Sequence, residues 1–145
     1  QNWYRLDEQI RQSIVMMEPK WSEKEIEFDV DMMDVEYLGN ENLICHVWDN
    51  LLSNAIKFSP CGGTIYIRMM PEGEKIRFSI ENEGPQISEY SMKHIFDKFY
   101  QGDSSHKQEG NGLGLALVKQ ILNLCMGTVS VENIPGSGCR FTVIL

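Results

Sequence analysis

The stretch that most constrains the fold is "NENLICHVWDNLLSNAIKFSP", residues 40 to 60. Ile44, Val47, Trp48, Leu51, Leu52, Ala55 and Ile56 recur at helical spacing and form one broad apolar face. A face that wide must be buried, here against a sheet. The opposite side carries a stripe. Asn50, Asn54 and Lys57 fall within roughly 60° of one another at about 100° per residue, and His46 joins them one turn earlier. Asn is a mediocre helix former because its amide competes for backbone hydrogen bonds. A solvated helix face usually carries Glu, Lys or Gln instead. Two readings stand side by side: a solvated polar face, or one wall of a ligand cleft. For the second, a carboxamide oxygen is a hard neutral ligand for Mg²⁺, its NH₂ donates to phosphate, and Lys57 adds a point charge.

The remaining elements follow from periodicity and turn residues. Residues 7 to 18 place Ile10, Ile14 and Met17 on a helix, with Asp7 as cap and Pro19 as stop. "EIEFDVD" alternates Ile26, Phe28 and Val30 as a half-buried strand, with a short extended piece at "VEYL" as its pairing candidate. "TIYIRMM" and "EKIRFSIEN" read as a hairpin around "PEGE". "MKHIFDKFY" reads as a short aromatic helix, and "GLGLALVKQILNLCM" as a helix with a glycine-rich start. "GTVSVEN" and "CRFTVIL" close the chain as a hairpin around "IPGSG". This order predicts a two-layer α/β sandwich, with a mixed, mostly antiparallel sheet covered on one face by helices. A length of 145 residues fits a single domain over 1–145.

Composition narrows the function. The net charge is −8 with no basic run, which argues against general nucleic-acid binding. Cys45, Cys61, Cys125 and Cys139 form no C-x-x-C pair and have no accompanying His cluster, which argues against a zinc centre. Cys45 and Cys125 fall in apolar helical patterns and read as small core residues. No apolar run reaches membrane-span length, and no signal peptide is visible. The chain begins with Gln, so the expectation is a fragment of a longer protein.

Three further stretches carry chemistry. "GNGLGLALV", Gly110 to Val118, lacks the G-K-[ST] of a P-loop and the last glycine of G-x-G-x-x-G. It still leads into a helix, whose free N–H groups and positive dipole end suit an anion; a flexible connector is the alternative. "SIENEGPQI" ends a strand at Asn82 beside Gly84, which presents an acceptor to a pocket or forms an ordinary Asx turn. The apolar-free segment Gln101 to Asn111 sits between Phe96, Phe99 and Tyr100 and the glycine-rich helix, and reads as a mobile lid or a plain surface loop.

Together and in this order, these stretches resemble the ATP-binding catalytic domain of sensor histidine kinases, a Bergerat-fold family shared with gyrase, Hsp90 and MutL. "NLLSNAIKFSP" is similar to its Asn-rich box, "ENEGPQI" to its first glycine box, "IFDKFYQGD" to its phenylalanine box and "GNGLGLALVKQIL" to its second glycine box. The resemblance implies an ATP and Mg²⁺ site. Asn54 takes the place of the Mg²⁺ ligand, Asn50 and Lys57 of phosphate contacts, and Phe58 of an aromatic near adenine. Asn82 stands for the adenine-binding residue, and Gly84 and Ile87 for the pocket floor and wall. Gly110, Gly112, Leu113, Gly114 and Leu115 stand for the phosphate-cradling helix start. Phe96, Phe99 and Tyr100 stand for the lid anchor. His46 occupies a place where relatives carry a polarising residue, with a structural polar contact as the alternative.

The sequence departs from the family pattern in three places: Asn82 for Asp, Gln86 for a glycine, and Gln101 for a frequent Arg. The Asn82 oxygen remains an acceptor. His46, His94 and His106 all lack the H-E-[FLI] context of the family's phosphoacceptor. The resemblance therefore implies a monomeric catalytic fragment that transfers the γ-phosphoryl to a histidine on the dimerisation domain of its parent. That parent would be a cytoplasm-facing, membrane-bound homodimeric sensor with a response regulator downstream. The alternatives are an anti-sigma-type serine kinase and a degenerate nucleotide-binding interaction module.

Overall fold

The computed structural model describes residues 1–101 and 112–145. Among them the strands are β1 (Asn2–Arg5), β2 (Glu27–Met32), β3 (Glu36–Gly39), β4 (Thr64–Glu72), β5 (Lys75–Asn82), β6 (Thr128–Asn133) and β7 (Cys139–Ile144). The helices are α1 (Leu6–Met16), α2 (Glu18–Glu23), α3 (Glu41–Phe58), α4 (Glu89–His94) and α5 (Gly114–Leu124). A five-stranded sheet runs in the order β2-β4-β5-β7-β6. β2 and β4 pair in parallel and the other neighbours antiparallel, as the mixed pattern requires.

Alternation along the strands decides which face is covered. Ile65, Ile67 and Met69 of β4, Phe78 and Ile80 of β5, and Phe141 and Val143 of β7 are buried. Against them pack Val47, Trp48, Leu51, Leu52 and Ile56 of α3 and Val118, Ile121 and Leu122 of α5. The intervening residues Tyr66, Arg68, Arg77, Ser79, Glu81 and Arg140 line the open face. The broad apolar face of α3 thus finds its sheet. Asn40 caps α3, its Oδ1 accepting from the Leu43 N–H at 3.1 Å. The Trp48 indole donates to Gln9 Oε1 at 2.7 Å, and Gln9 Nε2 donates to the Glu41 carbonyl at 2.8 Å, so no indole N–H is stranded in the core.

Three expectations need revision. Pro19 does not end the first helix alone: α1 stops at Met16, and Pro19 sits in the first turn of α2, where its missing N–H costs nothing. The "VEYL" segment pairs with β1, not with β2, bringing Trp3 opposite Leu38. The reason lies in residues 33–35, which carry the chain away from the sheet. Val35 is fixed instead at the start of α1, its carbonyl accepting from the Leu6 N–H at 2.8 Å and its N–H donating to Asp7 Oδ1 at 3.2 Å. The aromatic helix lies earlier than read, because Ser88 caps α4 by accepting from the Ser91 N–H.

Asp7 is a buried carboxylate with four donors. Arg5 Nε and an Arg5 terminal nitrogen donate at 2.9 and 2.6 Å, Arg11 at 2.7 Å, and Val35 N–H at 3.2 Å. The Arg5 hydrogen bonds, with those from Val35 and Arg11, hold its carboxyl well below the usual carboxylate range against the opposing effect of burial. A depressed folded-state pKa contributes stability that is present above the unfolded value, near about 4, and lost as pH falls through it. Asp7→Ala is therefore expected to lower stability by about 2 kcal/mol at neutral pH. Urea melts at pH 7 and at about pH 3 should show the gap between wild type and variant narrowing in acid.

Candidate functional site

One side of the sandwich opens into a cleft of about 480 Å³. α3 supplies one wall through Asn50, Ser53, Asn54, Lys57 and Phe58. The loop after β5 supplies Pro85, Gln86 and Ile87, and the start of α5 supplies Gly112, Gly114 and Leu115. Tyr100 and Gln101 close one rim, while Cys139 and Phe141 of β7 reach it from the sheet. The polar stripe of α3 therefore faces a cavity and not bulk solvent. Lys20 of α2 also lines it, and sequence reading missed this residue because its helix lay beyond the expected stop at Pro19.

Local geometry sets the wall. The Asn50 amide donates to the His46 carbonyl at 2.7 Å, which turns its Oδ1 toward α5. A Cβ at Gly114 would meet that Oδ1 at 2.7 Å, so only glycine lets the α5 start approach this closely. Among the described residues the Asn54 carboxamide has no hydrogen-bond partner, so both its oxygen and its NH₂ are free for a ligand. Lys57 Nζ lies 5.2 Å from the Phe58 ring centroid. The last turn of α3 is tied down by Lys24, whose ammonium donates to the carbonyls of Ile56, Lys57 and Ser59 at 2.8, 3.1 and 2.5 Å. A cation on the orphan carbonyls of a helix C-terminus satisfies them and complements the dipole. Lys24→Met keeps the stem and removes the ammonium. It is expected to lower stability by about 2 kcal/mol, with amide exchange rising at residues 57–59.

The opposite rim is built from the aromatic segment. Phe96 packs edge-on to Phe141 at 6.1 Å, and the Tyr100 hydroxyl hydrogen-bonds the Ser91 hydroxyl at 2.5 Å. Gly112 has φ +76, and a Cβ there would come within 2.5 Å of the Phe99 backbone. The Phe99 N–H donates to the Gly112 carbonyl at 3.0 Å. The aromatic box and the second glycine stretch are thereby joined through backbone.

The predicted site residues divide on inspection. Asn50, Asn54, Lys57, Phe58, Ile87, Tyr100, Gly112, Gly114 and Leu115 line the cleft. Asn82 and Gly84 stand just behind it. Asn82 is 2% exposed; its NH₂ donates to the Glu83 carbonyl, and its Oδ1 takes only a long contact, 3.8 Å, from the thiol of cleft-lining Cys139. Gly84 N–H donates to Ser137 Oγ at 3.2 Å. Leu113 precedes α5, and its carbonyl accepts from the Leu117 N–H. Phe99 needs correction: its side chain is 70% exposed and lines no part of the cleft, because a backbone at φ 66 turns it outward. His46 is exposed and likewise outside the cleft lining; its carbonyl, not its ring, touches the stripe. Gly110, and the lid reading beyond Gln101, lie outside the described residues.

The profile of the histidine kinase-, DNA gyrase B- and HSP90-like ATPases matches residues 39–145. The chain belongs to this family. It is 34% identical over 122 residues to the heme sensor protein HssS of Staphylococcus saprophyticus, covering 84% of this chain and 26% of that protein. The fold matches a mycobacterial sensor histidine kinase, MprB, with a TM-score of 0.92 and 27% identity, over 99% of this chain and 97% of that one. It also matches histidine kinase ThkA, solved in complex with response regulator protein TrrA, with a TM-score of 0.84 and 27% identity, over 99% of this chain and 41% of that one. The chain spans about a quarter of the length of HssS. Among the described residues no helix is long and apolar enough to cross a membrane.

Proposed function

We propose that the cleft binds Mg²⁺-ATP and that the chain passes the γ-phosphoryl group to a histidine on the dimerisation domain of a longer two-component sensor kinase. The observation that carries this reading is the facing of two walls. The Asn50, Asn54 and Lys57 stripe stands across from the glycine start of α5, with Asn50 Oδ1 in close approach to Gly114.

The residues present fit the metal. Mg²⁺ takes hard oxygen donors, and Asn54 offers a carboxamide oxygen with no competing partner. When bound, the ion would offset phosphate charge. The chain does the rest. Lys57 places an ammonium on phosphate oxygens, and the first N–H groups of α5 add donors at its positive dipole end. At the other end, Ile87, Ile95 and Phe141 offer an apolar bed for a purine. The weakly engaged Asn82 oxygen supports the role of acceptor for its amino group. An uncharged acceptor there avoids burying a carboxylate. The reaction breaks the bond between the γ-phosphorus and the bridging oxygen, which leaves on ADP, and forms one to an imidazole nitrogen. Positioning and electrostatics supply the rate.

The parent protein is proposed to be a membrane-bound homodimer, with this domain on its cytoplasmic side and a response regulator receiving the phosphoryl group. Incubation with Mg²⁺-ATP and a purified dimerisation-domain fragment should yield acid-labile, base-stable phosphate on that fragment. Acid-stable phosphoserine, or no transfer despite ATP binding, would overturn the reading.

A further inference from the structure

Among the described residues, one group of metal-ligating side chains lies outside the cleft. A ligand atom from each of Cys45, His46 and Asp49 lies within 4.8 Å of the other two. All three come from α3. Cys45 and Asp49 are one turn apart, and His46 and Asp49 three residues apart, so the helix itself brings them to one face. Cys45 and Asp49 are partly exposed and His46 is exposed, which leaves an ion access to the group.

We propose that Cys45, His46 and Asp49 form a site for a zinc-class divalent cation, separate from the ATP-associated Mg²⁺. The donor set decides the class. Thiolate, imidazole and carboxylate together suit Zn²⁺ or Co²⁺, whereas Mg²⁺ and Ca²⁺ take oxygen. Bond lengths of about 2.0 to 2.3 Å allow ligands on one ion to stand up to roughly 4.4 Å apart, so small side-chain movements close the group. Binding replaces the Cys45 S–H bond by a sulfur–metal bond and releases the proton to solvent. The S–H now donates only to the Asn42 carbonyl of its own helix turn, a bond that is easily exchanged. Water completes the coordination. The site adjoins the cleft without sharing a ligand with it, since the Asn50 amide is anchored to the carbonyl of His46.

The test uses Co²⁺ as the probe, on the whole chain without nucleotide. One equivalent should bind with micromolar affinity and give a thiolate-to-cobalt charge-transfer band. Excess Zn²⁺ should abolish that band. Cys45→Ser should remove it and His46→Ala should weaken binding roughly 100-fold, while Cys61→Ser and Cys125→Ser leave both unchanged. Circular dichroism checks that each variant is folded. Absence of the band in the wild type, or its survival in folded Cys45→Ser, overturns the assignment. Because no nucleotide is present, failure here is distinguishable from failure of the kinase reading.

Discussion

Asn54→Ala is expected to weaken nucleotide binding roughly 100-fold in the presence of Mg²⁺ and to change it little in its absence. A loss of that size corresponds to about 2.7 kcal/mol, in the range of a lost contact to a charged group. Asn54 lines the cleft, and its carboxamide has no partner within the described residues. Truncation therefore breaks no intramolecular hydrogen bond. Helix propensity favours alanine over asparagine, so α3 should be at least as stable. These two facts separate the site effect from a folding effect. Fluorescent ATP-analogue titrations with and without Mg²⁺ measure the first, and a thermal melt measures the second. An equal loss with and without the ion would mean that Asn54 contacts the nucleotide directly and holds no metal. Unchanged affinity in both conditions would remove Asn54 from the site.

The sandwich and the long Asn-bearing helix were legible because both rest on strong periodic signals. The α3 apolar face dictates a sheet partner, and the alternation in β4, β5 and β7 supplies it. What stayed hidden lacks such a signal. β1 is four residues long, and its partner β3 equally short, so neither carries a readable alternation. Their pairing is set by Val35 docking on the start of α1, a contact between distant residues. The site was legible as boxes, but not the direction of each side chain. Phe99 and Tyr100 are neighbours in one aromatic motif, yet the positive φ of Phe99 turns its ring to solvent while Tyr100 reaches Ser91. Lys24 was invisible for a similar reason, since its role depends on α2 ending beside the last turn of α3. The Cys45, His46 and Asp49 group escaped because the spacing rules for zinc centres look for paired cysteines.

Gly138→Ala should be among the most damaging single-methyl substitutions in this chain. Gly138 has φ +82, and a Cβ there would sit 1.9 Å from the Asn82 carbonyl oxygen and 2.9 Å from the Glu83 Cα. Both obstacles are backbone, so no side-chain rotation relieves them. The Gly138 N–H donates to the Gly84 carbonyl at 2.8 Å, and its own carbonyl accepts from Ile134 at 3.0 Å. The turn between β6 and β7 is thus clamped onto the loop that carries Asn82 and Gly84. Left-handed backbone contributes about 1 to 2 kcal/mol and overpacking about 1 to 3, giving an expected loss of roughly 3 kcal/mol. Relief of the clash must push the Asn82 backbone away, so nucleotide affinity should also fall in whatever fraction remains folded. Gly136→Ala is the control. It lies in the same turn at φ +98 with nothing within 4 Å of an added Cβ, so it carries the backbone penalty alone, about 1 kcal/mol. Urea denaturation of the two variants separates the terms, and equal losses at both positions would refute the close-approach account of this turn.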